Sequence, residues 1–196
     1  AFAQALRPVI LFWALAAMAV LSYPRGTGLW GARATLCVAG LLVLVPPWLA
    51  IVFVRSLPLG QYLVIYAIAV IAFADIGAYF AGRAIGGLKL MPRVSPGKTW
   101  AGFAGGMLAS LALAAAVGAL AGLGGERLGA WVAIAGTAAL VSVFGDLLES
   151  MVKRHGGQKD SGSLLPGHGG LFDRLDSLTA GLPVLALGLL QAGSFW

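Results

Sequence analysis

Hydrophobic residues run along this chain in six long blocks, near residues 8–23, 34–54, 59–82, 101–123, 129–152 and 176–195, each ended by a polar stretch. A helix needs about 20 apolar residues to cross the hydrocarbon core of a bilayer. The blocks therefore predict six membrane spans in an all-α, polytopic helical bundle. The first is short. Pro46-Pro47 interrupts the second and is expected to kink or break it, since proline removes a helix hydrogen bond and crowds the preceding turn. The polar stretches with room for chemistry are the loops at 83–100 and 153–174. They divide the chain into two N-terminal spans over residues 1–57 and a larger transmembrane domain over 58–196.

Composition agrees with the pattern. Hydrophobic residues make up 60% and charged residues 10% of the 196 positions, against about 25% charged in soluble domains. Such a chain cannot wet a soluble surface. The single Cys37 excludes an internal disulfide framework. Trp13, Trp100 and Trp131 are expected as interfacial anchors. The chain opens Ala-Phe-Ala without an initiator Met and is expected to lack N-terminal spans.

The charge distribution sets an orientation. Arg25, Arg33, Arg83, Lys89, Arg93, Lys98, Lys153, Arg154, Lys159 and Arg174 follow spans one, three and five, against Arg7, Arg55 and Arg127 on the other side. Ten against three places the rich side in the cytoplasm by the positive-inside rule. The net charge of +6 comes with no soluble aromatic-interleaved surface, so it points to anionic lipid or nucleotide rather than nucleic acid.

Six of the seven acids gather on that same side: Asp75, Asp146, Glu149, Asp160, Asp173 and Asp176. Asp75 and Asp146 lie inside apolar spans, where an unpaired charge costs roughly 3 kcal/mol or more. Asp146, Glu149, Ser150 and Lys153 fall at i, i+3, i+4 and i+7 on one helical face. Asp173, Asp176, Ser177 and Ala180 repeat that spacing, and are expected on one face at the start of the sixth span. Oxygen ligands without cysteine suit a hard cation such as Mg²⁺. Lys98, Lys153, Arg154, Lys159 and Arg174 supply the fixed charge a triphosphate needs. Gly156-Gly157 and the glycines around His168 allow close approach of backbone amides to phosphate oxygens.

Residues 150–176 read SMVKRHGGQKDSGSLLPGHGGLFDRLD. This resembles the signature of the phosphatidate cytidylyltransferase (CDP-diacylglycerol synthase) family, S-x-x-K-R, four residues, K-D, then P-G-H-G-G-x-x-D-R-x-D, at every fixed position. DIGAY at 75–79 and SPGKTWAGFAGG at 95–106 are similar to the family's membrane-interface segments, although Ala101 stands where many members carry an acid or amide. The resemblance implies that the domain over 58–196 is catalytic and joins CTP to phosphatidic acid, giving CDP-diacylglycerol and pyrophosphate. It implies Asp146 and Asp173 as Mg²⁺ ligands, with a second cation as an option. Asp146, Lys159, Asp160, Asp173 and Asp176 would form the catalytic set. Asp75, Lys98, Ser150, Lys153, Arg154, His168 and Arg174 would bind substrate. It further implies a homodimer in a bacterial inner membrane, with the site on the cytoplasmic face. The alternatives are a CTP-dependent lipid kinase acting on a polyprenol-type alcohol and, further off, a small transporter.

Overall fold

The computed structural model describes residues 2–164 and 169–193, with side chains from residue 8 onward. His168 lies outside the described residues. Each apolar block is a helix: α1 Phe2–Ser22, a single turn α2 Thr27–Trp30, then α3 Arg33–Ser56, α4 Gly60–Ile85, α5 Trp100–Leu120, α6 Gly125–His155 and α7 Asp176–Gln191. Helices α3 to α6 are long and apolar enough to cross a membrane, whereas the segment Pro8–Ser22 of α1 and all of α7 are apolar but shorter. Leu11, Leu41, Ile65, Phe80 and Leu108 stand largely exposed on the outside. An apolar exterior of this extent belongs against lipid, and the chain is an integral membrane bundle.

Helix α7 is wrapped by the others. It packs on α6, α3, α1 and α4, and its residues from Ser177 to Leu189 are mostly buried, as expected of a helix apolar on all sides. Around it the core joins Ala50 and Val54 of α3, Val70 and Ile71 of α4, Ala114 of α5, Ala135 and Ala138 of α6, and Leu185 and Ala186 of α7.

Helices α4 and α5 meet backbone to backbone. A Cβ on Gly105 would stand 2.2 Å from the Ala81 Cβ, one on Gly106 would stand 2.4 Å from the Ala74 carbonyl oxygen, and one on Gly77 would stand 2.6 Å from the Gly105 carbonyl oxygen. Small residues permit this approach where no hydrophobic drive separates helix from lipid. The Ser110 hydroxyl donates to the Val70 carbonyl at 3.0 Å across the same seam.

Three expectations are corrected. Pro46-Pro47 does not break α3, which continues from Arg33 to Ser56 with both prolines buried; packing against neighbours offsets the hydrogen bonds that the prolines remove. Trp131 is 3% exposed and is a core residue rather than an interfacial anchor. Its indole donates to the Ala114 carbonyl at 3.1 Å and stacks on Tyr66 with ring centroids 4.4 Å apart. Trp13 is likewise buried, against Ala180 and Leu187; of the three, only Trp100 is exposed. Trp131→Phe is expected to lower stability by about 1 kcal/mol through the lost hydrogen bond, read as a lower midpoint of thermal unfolding in detergent.

The loop expected over 83–100 contains the one departure from helix among the described elements. Strands β1 (Lys89–Met91) and β2 (Ser95–Thr99) form an antiparallel hairpin. Met91, Pro92, Arg93 and Val94 make its turn, closed by the Val94 amide donating to the Met91 carbonyl at 3.1 Å. Proline at the second turn position presets the required φ. Val94 is fully buried against Val20, Leu147 and Met151, which pins the hairpin to α1 and α6. Thr99 then caps α5, its side-chain oxygen accepting from the Gly102 amide at 3.0 Å.

Candidate active site

At 31 residues, α6 is about 46 Å long and outruns the roughly 30 Å hydrocarbon core. Its last turns carry Glu149, Lys153 and Arg154 beyond the apolar zone. The hairpin meets α6 at this same end, and so does the segment leading into α7. Between them lies a cavity of about 540 Å³. Asp75, Asp146, Asp173, Asp176, Lys98, Arg83 and Arg174 line its polar part, and Phe103, Met107, Ala139 and Val143 its apolar part.

Asp146 receives Lys98 across the chain, with Nζ 2.6 Å from Oδ2, and the Ser150 hydroxyl one turn on at 3.3 Å. Lys153 bridges two carboxylates, Glu149 at 2.7 Å and Asp173 at 2.5 Å. Glu149 is 7% exposed, and its Oε1 has no hydrogen-bond partner among the described residues. Asp75 accepts from the Ser177 hydroxyl at 3.3 Å, tying α4 to the start of α7. The helical face read from the sequence on α6 is thus present.

The second expected face is not. Asp173 belongs to a separate 3-10 turn, Phe172–Arg174, and α7 begins at Asp176. The break frees Asp173 to turn toward the preceding loop. There it accepts from the Ser161 amide and hydroxyl, both at 2.9 Å, and from the Gly170 amide at 2.7 Å. Glycine is required at 170, where a Cβ would lie 2.2 Å from the Ser161 Oγ. The described part of this glycine-rich stretch therefore gives an amide to Asp173. Burial works against the Asp173 carboxylate, but the Lys153 ammonium, the two amides and the Ser161 hydroxyl together hold it well below the usual carboxylate range.

The cavity unites Asp75, Lys98, Asp146, Asp173, Arg174 and Asp176, with Ser150 and Lys153 bonded directly behind them. Arg154, Lys159 and Asp160 are exposed and do not line it. Tyr79, Arg83 and Thr99 line the cavity too and are not singled out as site residues by the sequence, in which Ser177 figures only through its spacing from Asp173. Only the i, i+4, i+8 spacing of Asp75, Tyr79 and Arg83 along α4 could have found the first two.

The donor set suits a hard cation: four cavity-lining carboxylates and no cysteine, with the one lining methionine, Met107, on the apolar part. Among the described residues no three acids stand together in ligating geometry. Lys98, Arg83 and Arg174 supply positive charge along the cavity wall, and Lys153 supplies it from behind Asp173.

The fold and the cavity define a polytopic membrane protein with an ion-paired site at one end of its bundle. The sequence matches the cytidylyltransferase family over residues 1–190. It is 50% identical to the phosphatidate cytidylyltransferase of Pseudomonas aeruginosa over 184 residues, covering 94% of this chain and 68% of that protein. It is 38% identical to the Haemophilus influenzae phosphatidate cytidylyltransferase, covering 89% and 64%, and 48% identical to that of Brucella suis, covering 66% and 47%. The chain belongs to the phosphatidate cytidylyltransferase family, which is one of nucleotidyltransferases. It spans between about half and two thirds of the length of these relatives.

Proposed function

We propose that this chain transfers a cytidylyl group from CTP to phosphatidic acid, forming CDP-diacylglycerol and pyrophosphate. The observation that carries this reading is the two-part cavity. Its charged part suits a triphosphate and a lipid phosphate, and its apolar part, along α5 and α6, suits the start of acyl chains. A phosphate oxygen of the lipid attacks the α-phosphorus of CTP. The bond from that phosphorus to the oxygen bridging to the β-phosphorus breaks, and pyrophosphate leaves with the electron pair. A phosphomonoester with a second pKa near about 6 is largely dianionic at neutral pH, so the attack needs no strong base. The barrier is the meeting of two polyanions. Lys98, Lys153 and Arg174 lower it by offering fixed positive charge to the phosphates.

Mg²⁺ belongs to the same proposal, with Asp146 and Asp173 as its ligands and Asp176 beside them. When bound, it would neutralise phosphate charge. The concentration of basic residues at the site's end of the bundle supports a cytoplasmic face in a bacterial inner membrane. A homodimer is proposed with it.

The test supplies purified chain with phosphatidic acid, Mg²⁺ and CTP labelled at the α-phosphorus. Label entering the lipid with equimolar pyrophosphate is expected. Label remaining in CDP while an alcohol acceptor gains phosphate would sink the reading in favour of a lipid kinase. Lys98→Gln is expected to raise KM for CTP about tenfold, checked by initial rates at saturating lipid, because it removes a phosphate-facing charge and leaves Asp146 uncompensated.

A further inference from the structure

On α4, Asp75, Tyr79 and Arg83 lie at i, i+4 and i+8 and all line the cavity. Asp75 turns inward to Ser177. The other two pair with each other, Arg83 Nη1 donating to the Tyr79 hydroxyl at 2.8 Å. This cation differs from its neighbours. Lys98 and Lys153 are matched by carboxylates at 2.5 to 2.7 Å, whereas Arg83 has no carboxylate partner among the described residues. A phenol fixes the guanidinium without cancelling its charge. Four of its five N–H donors remain, and so does the phenol's own proton. A planar cationic fork beside a hydroxyl matches the oxygens of a phosphomonoester.

The pair's position says which phosphate. Tyr79, Phe80 and Ile76 are 57%, 65% and 51% exposed, so this flank of α4 faces lipid. Arg83 lies in the last turn of the helix, at the depth of headgroups. The carboxylate-matched lysines instead come from β2 and α6, on the side of the segment preceding α7.

We propose that Arg83, oriented by Tyr79, forms the subsite that receives the phosphate of the lipid acceptor. This rests on the cytidylyltransferase reading above and adds to it the residues that select an acceptor with a terminal phosphomonoester. Initial rates would be measured in mixed micelles for wild type, Arg83→Gln, Arg83→Lys and Tyr79→Phe. Phosphatidate would be varied at saturating CTP, then CTP at saturating phosphatidate. Arg83→Gln is expected to raise KM for phosphatidate about tenfold and to leave KM for CTP unchanged, with partial rescue by lysine. Tyr79→Phe, which removes one atom and keeps the packing, should shift the same constant in the same direction by less. A rise in KM for CTP instead would give the pair to the triphosphate and overturn the proposal, as would no change in either constant. A second readout needs no turnover: stabilisation of the detergent-purified protein against heating by a short-chain phosphatidate. If wild type makes no CDP-lipid yet gains this stabilisation, and Arg83→Gln loses it, the reaction assigned above fails while the subsite stands. Stabilisation absent in wild type or equal in the variant would overturn the subsite itself.

Discussion

Replacing Asp173 by Asn is expected to reduce cytidylyl transfer by about a hundredfold or more, with the helices still folded. The substitution keeps the volume but removes the charge that Lys153 meets at 2.5 Å. It also turns one acceptor oxygen into an NH₂, which faces donors wherever it is placed, because Oδ2 accepts from Ser161 and Gly170 together. The segment at 156–164, which Asp173 holds through Ser161, should then loosen, read as faster cleavage by a soluble protease, while circular dichroism stays unchanged. Transfer within about tenfold of wild type would remove Asp173 from the site. The pH behaviour has a definite sign. Because the folded carboxyl lies below its ordinary value, the stability it contributes is complete above about pH 4, the unfolded value. That contribution is lost as pH falls from there through the folded value. Any change in rate between about pH 5 and 8 therefore belongs to another group or to the lipid phosphate.

The second large effect is expected from a residue with no functional group. A Cβ on Gly145 would stand 2.5 Å from the Asp176 carbonyl oxygen and 3.0 Å from the Ala180 Cβ. The first obstacle is backbone, so α6 and α7 must separate. Asp146 is the next residue, and the Asp176 main-chain carbonyl is the group pushed away. A displacement near 1 Å at reacting groups can cost about a hundredfold in rate, alongside about 1–3 kcal/mol of stability from overpacking. Gly145→Ala should thus lose most transfer. Gly129→Ala, on the same helix with nothing within 4 Å of its added Cβ, should keep it. Equal activity in the two variants would show that the α6–α7 spacing does not set the site.

Much of this was legible in the chain, and the gaps have physical causes. Six apolar blocks became six helices because hydrophobic length is a direct record of the solvent. The face of Asp146, Glu149, Ser150 and Lys153 survived because α6 runs unbroken to His155. The same spacing misled at Asp173 and Asp176, since a 3-10 turn resets the helical phase between them and nothing in DRLD announces it. The hairpin was hidden because its strands are three and five residues long, too short for a period-two signal. Trp131 and Trp13 were read by residue type, whereas burial depends on which neighbours arrive. Arg83 was counted as an orientation charge, and only the cavity wall shows what it faces. Arg154, Lys159 and Asp160 matched a motif yet stand outside the cavity, because sequence proximity does not specify direction.

The seam between α4 and α5 has a mechanical consequence. Gly102, Gly105 and Gly106 of α5 meet Ala74, Ala78 and Ala81 of α4, and Gly77 of α4 meets Gly105 and Ala109, all through main chain and methyl groups, and these have no rotamers to exchange. Neighbouring helices usually slide by letting side chains hop between wells. This pair has no such gearing, so it behaves as a single beam. Asp75, Arg83 and Thr99 keep a fixed spacing along it. Whatever opens to admit a substrate must hinge elsewhere than along this seam.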